Sequence, residues 1–141
     1  MTVSTRDVAV QFNEERSWTE RAKTVDCVAT LYAEGALDGA ESEGALALFR
    51  LALYDAEPLV RRVLAESVKH ARDLPREIVR GLIADSPEVS TPFLAASPLL
   101  EEGDLLAIAI DGSSAQRAAI AARANLPRRV KRALRQRASA A

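Results

Sequence analysis

The sequence predicts an all-α array of about eight short antiparallel helices, stacked as helical hairpins. Three observations predict it. Almost half of the 141 residues are apolar, yet only one Trp, two Tyr and three Phe are among them, so alanine and leucine supply the bulk. That composition favours helices over strands. Apolar residues recur at three-and-four spacing, and no alternating run demands a strand. Proline and glycine punctuate the chain at short intervals, leaving room for helices of two to four turns.

Residues 1–16 are polar and weakly patterned and are expected to form an arm or tail. There Val8, Val10 and Phe12 alternate with polar neighbours. One helical domain is expected over 17–138, with a tail at 139–141. Ser17 with Glu20 reads as a capping box, a hydroxyl and a carboxylate serving the first orphan N–H groups. Trp18, Ala22, Val25, Val28, Ala29, Leu31 and Tyr32 then form one apolar stripe, and Gly35 stops the helix near Glu34. A second helix is expected from about Glu41 to Tyr54, with Leu48 and Phe49 inward. Pro58 opens a third, where its missing N–H costs nothing. Val60, Val63, Leu64 and Val68 face inward there. Pro75 opens a fourth helix. Pro87 opens a fifth, which Pro92 is expected to kink or split. A sixth begins at Leu99 and Leu100. Ser113 or Ser114 caps a seventh, whose stripe is nearly all alanine. Pro127 opens the eighth, with Val130 and Leu134 inward.

Two internal echoes support a repeat. Leu74-Pro75-Arg76 with Ile78, Arg80 and Leu82 matches Leu126-Pro127-Arg128 with Val130, Arg132 and Leu134. A shorter echo joins Asp55, Pro58 and Val60 to Asp85, Pro87 and Val89. Degenerate echoes suit stacked helix pairs, where only the packing face is constrained.

Candidate chemistry is sparse. One cysteine excludes an internal disulfide and one histidine excludes a multi-His metal site. Cys27 lies beside the apolar stripe and reads as a small half-buried hydrophobe. His70 lies near the end of the third helix, where its cation suits the helix C-terminus. Glu101, Glu102 and Asp104 precede an apolar helix, where acids favour the positive end. No phosphate loop, calcium loop or nucleophile elbow is present. The aromatics are scattered as core residues are, not grouped as a base-stacking platform. The reading is a protein that is not an enzyme and carries no cofactor. The start shows no signal peptide, and no run is long enough to span a bilayer, so a cytoplasmic location is expected.

Charge is the informative feature. Residues 1–111 carry 11 basic against 20 acidic side chains, a net of −9, whereas 112–141 carry 8 basic and none acidic. Three readings of the basic end compete. It is a solvated face complementing the acidic body. It docks on an acidic protein partner or a second copy. Or it binds nucleic acid or an anionic membrane surface. The expected function is a scaffold or interaction module that binds a protein partner or itself through a helical face, with nucleic acid as the alternative. The partner-binding candidates are Arg128, Arg129, Arg132 and Arg135. Next come Arg61 and Arg62, with Arg76 and Arg80, if neighbouring helices align them in one stripe.

Several marks in the chain resemble a bacterial family known as domain of unknown function number 2336. These are Asp55 with Val60-Arg61 and Ala65, Pro75, and Val89, Pro92 and Leu94 before Ser97-Pro98. Asp104-Leu105-Leu106, and Ile120-Ala121 with Arg123, complete them. The resemblance covers about residues 18–134. It implies a HEAT-like α-solenoid and carries over no catalytic residue.

Overall fold

Eight α-helices account for about three-quarters of residues 17–139, which are the residues that the computed structural model describes. No strand occurs among them. The helices are α1 (Trp18–Ala33), α2 (Gly39–Leu53), α3 (Pro58–Val68) and α4 (Arg76–Ile83), then α5 (Pro87–Ala96), α6 (Glu102–Asp111), α7 (Ser114–Ala121) and α8 (Arg128–Ser139). The expected arm at 1–16, with Val8, Val10 and Phe12, lies outside the described residues, as do residues 140 and 141.

Local chemistry explains most boundaries. Pro58 and Pro87 each open a helix at its first position. The end of α1 is closed by Gly35 at φ +72°, where its N–H bonds Tyr32 O and that of Ala36 bonds Leu31 O. Those paired bonds satisfy the last carbonyls, and only glycine takes that backbone without strain. Gly112 closes α6 for another reason: a Cβ there would stand 2.5 Å from the Ile108 carbonyl oxygen.

Four sequence expectations change. Ser17 is the N-cap of α1, but its side chain makes no cap bond. The capping box occurs instead at α2. Asp38 accepts from the Glu41 N–H at 2.8 Å, and Glu41 Oε1 accepts from the Asp38 N–H at 3.1 Å. That box starts α2 at Gly39, before the expected Glu41. Pro92 does not split α5, which runs unbroken through it. Leu99 and Leu100 belong to the turn before α6, which begins at Glu102. At α7 the expected serine cap is Ser113, reciprocated by Gln116 at 3.1 and 2.9 Å.

The apolar stripes then pack. Helices α1, α3, α5 and α7 lie side by side in chain order as one row. Helix α2 packs on α1, α3 and α4, while α4 also packs on α5. Helices α6 and α8 pack on each other and on α7. No extensive contact joins helices more than two places apart. The buried side chains form two cores. The larger is built around Leu48, Phe49, Leu64, Ile78, Leu82 and Phe93. The smaller holds Leu94, Leu105, Ile108, Ala109, Ile120 and Val130. Ile83 and Leu100 touch both. Phe49 meets the Tyr32 ring edge-on at 5.4 Å, and the Tyr32 hydroxyl donates to Asp73 O. Burial, with Asp73 nearby, raises the Tyr32 pKa.

Candidate interaction surface

The arginines divide into those that join helices and those that face solvent. Arg21, the fourth residue of α1, grips Asp55 in the turn before α3 with two bonds of 2.8 and 3.1 Å. Arg61, the fourth residue of α3, grips Asp85 before α5 at 2.8 and 3.2 Å. Its Nη1 also donates to Asp55 O at 2.7 Å. Ser90, the fourth residue of α5, accepts at 3.0 Å from Gln116 Nε2, on the third residue of α7. Each joint therefore runs from one helix's fourth position to the start of the next helix in the row. Forked guanidinium–carboxylate pairs suit this task, because two parallel bonds fix orientation as well as distance.

Asp55 has a side chain only 5% exposed. Burial alone would raise its pKa. The Arg21 hydrogen bond, the Glu57 N–H and the charges of Arg21 and Arg61 outweigh it and hold the pKa below the usual value. Asp104, third residue of α6, behaves alike. Burial opposes ionisation, but the hydrogen bond from Arg76, the Glu101 N–H and the charges of Arg76 and Arg80 lower its pKa. Arg76, first residue of α4, donates to Asp104 and to Leu99 O and stands 3.7 Å from Glu101. This clasp links α4 to α6. Arg123 follows α7 and donates to Leu94 O at 2.8 Å and Ser97 O at 2.6 Å, tying down the end of α5. Burial lowers its pKa.

The candidate partner-binding residues are thus not equivalent. Arg61 and Arg76 are engaged inside the fold, so no free stripe of Arg61, Arg62, Arg76 and Arg80 forms. Arg62 and Arg80 remain exposed. Arg128, Arg129, Arg132 and Arg135, with Lys131, are all exposed on α8, around a buried Val130. Among the described residues none of these five forms an ion pair. Arg137, by contrast, donates to the Ile110 carbonyl. Between α7 and α8 lies a hollow of about 340 Å³ with Leu126 and Leu134 in its lining and Lys131, Arg135 and Arg123 around it.

Sequence reasoning misses Arg21 and one further arginine. Arg117, the fourth residue of α7, is half-buried, and its Nε has no hydrogen-bond partner although it is buried. Its Nη2 donates to Ser114 Oγ at 3.3 Å. The signal was its position relative to the α7 cap, the same as that of Arg21 and Arg61. Cys27 proves exposed rather than half-buried. His70 is exposed beside Arg72, between two open grooves. Among the described residues no three His, Cys, Asp or Glu side chains lie close enough to hold a metal ion, and no helix is long and apolar enough to cross a membrane.

The sequence resemblance is found over part of the chain. Residues 89–141 match the model of a family described as an uncharacterised protein conserved in bacteria, DUF2336. The matched stretch is a little over a third of the chain. It begins in α5 and contains the whole smaller core, together with Arg123 and its two acceptors. The search of curated proteins and the search of solved structures return no match to the chain.

Proposed function

We propose that the protein is a non-enzymatic interaction module, a short HEAT-like solenoid that docks through α8 on an acidic protein surface, another protein's or its own. One observation carries this reading. Five exposed cations share one short helix, and no carboxylate among the described residues neutralises them. Among the described residues no ion pair joins them to the chain's own acidic body. The side-by-side row of α1, α3, α5 and α7 supports the solenoid part of the reading. Charge complementarity would set encounter rate and orientation, and the rigid helix face would supply the fit.

The test is affinity capture from the native cell with the intact chain and with R132E/R135E. The intact chain is expected to retain an acidic protein that the double variant loses. An unchanged set of captured proteins would overturn the reading. A fluorescent DNA duplex offered at low salt is expected to stay free. Duplex binding that falls steeply with salt and vanishes in R132E/R135E would replace the protein partner with nucleic acid.

A further inference from the structure

The two ends of the array carry complementary halves of the contacts that join its middle. Along the row α1, α3, α5 and α7, the fourth residue of each helix meets the start of the next. Arg21 holds Asp55, Arg61 holds Asp85, and Ser90 meets Gln116. Arg117 occupies this fourth position in α7, the last helix of the row. Its buried Nε lacks an acceptor. The helix face beside it is small and uncovered, with Ala115, Ala118 and Ala122 exposed. At the opposite end, Glu20 is exposed as the third residue of α1. That is the position from which Gln116 of α7 reaches Ser90.

The helices outside that row repeat the pattern. Arg76, first residue of α4, binds Asp104, third residue of α6. Asp104 caps its own helix with Oδ2 and receives Arg76 on Oδ1. Arg128 is the first residue of α8, in register with Arg76 through the Leu-Pro-Arg echo, and it is exposed. Glu41 is the third residue of α2. It caps its helix with Oε1, as Asp104 does with Oδ2. Both unmatched arginines lie in the segment that carries 8 cations and no acid. Both matching glutamates lie in the segment whose net charge is −9.

We infer that a second copy of this chain stacks its α1 and α2 on the α7 and α8 of the first, Glu20 meeting Arg117 and Glu41 meeting Arg128. The inference rests on reading α8 as a docking face and names the occupant. The contact is head-to-tail, so it builds open chains unless its rotation closes a ring.

Sedimentation velocity on the full chain, from low to high concentration, tests this. The wild type is expected to associate, less so as salt rises. R117E and E20R should each weaken association at least roughly tenfold, since each sets like charges against one another. An equimolar mixture of R117E with E20R should restore it, because every joint in an alternating chain is again complementary. Circular dichroism establishes that each variant folds. If R117E does not fold, R128E, at an exposed position, with E41R as its partner gives the same readout, and E41Q, which keeps an acceptor for the Asp38 N–H, controls for loss of the α2 cap. A wild type that stays monomeric up to millimolar concentration overturns the proposal. So do single variants that associate like the wild type, or a mixture that does not recover. If stacking fails while R132E/R135E still releases a captured protein, only the stacking is overturned. If both fail, the docking reading fails with it.

Discussion

Asp55 shows how a buried charge is kept in this fold. Removing a carboxylate from water is costly, and only full pairing offsets it. Here Arg21 supplies two bonds and the Glu57 N–H a third, at 2.9 Å. Replacing Asp55 by Asn keeps the shape and removes the charge. The expected loss is about 1–3 kcal/mol, the range for hydrogen bonds to charged groups, read by urea denaturation. The pH dependence follows from the lowered pKa values of Asp55 and Asp104. Both folded-state values lie below the unfolded ones. Their contribution is therefore complete above the unfolded pKa, about 4, and is lost as pH falls through the folded values. The thermal midpoint should drop on acidification below that point, and more shallowly in D55N/D104N. An equal slope in the double variant would refute the assignment. Part of this was legible in the sequence. Asp55 with Pro58 and Asp85 with Pro87 stood out as an echo. The arginines that bind them lie 34 and 24 residues away, and nothing in the local pattern names them. For the same reason Arg61 looked as available as Arg62.

At the level of single helices, starts were legible wherever a residue type fixes the backbone. Proline did so at α3 and α5, and glycine did so at the end of α1. Starts were misjudged where a side chain has a choice. Ser17 has the right spacing to Glu20 but makes no cap bond, whereas Asp38 and Glu41 form the reciprocal pair. Asp38→Ala should cost about 1 kcal/mol of stability by losing that cap. Ser17→Ala should change stability far less, and denaturant titrations of the two variants side by side check the contrast. Phe49 is fully buried on α2 against Tyr32. Phe49→Ala should cost about 3–5 kcal/mol through lost transfer energy and an unfilled cavity, measured by the same titration. Gly112→Ala forces a methyl group against the Ile108 carbonyl, so it should fray the last turn of α6, seen as faster amide exchange there.

Taken whole, the molecule is two unequal cores joined by α5, which contributes to both, by Ile83 and Leu100, and by the polar links of Arg76, Gln116 and Arg123. The smaller core has six buried residues and depends on α6, α7 and α8. Native-state hydrogen exchange should therefore show residues of α6 to α8 opening at lower free energy than α2 and α3. Arg76→Ala should widen that gap, because it removes the polar link between α4 and α6. Uniform protection across all eight helices would contradict this division. The helix count was legible from sequence, since each stripe and breaker is local. The division into two cores was not, because it depends on which stripes meet. The contact order of the helices also bears on how fast the chain reaches this state. Every extensive contact joins helices one or two places apart, so little chain must be closed into a loop before a contact forms. Folding should then be quick, on the order of microseconds to milliseconds, as in other helical proteins dominated by local contacts. It should also be able to start at either core, so a substitution that slows one half would leave a kinetic route through the other.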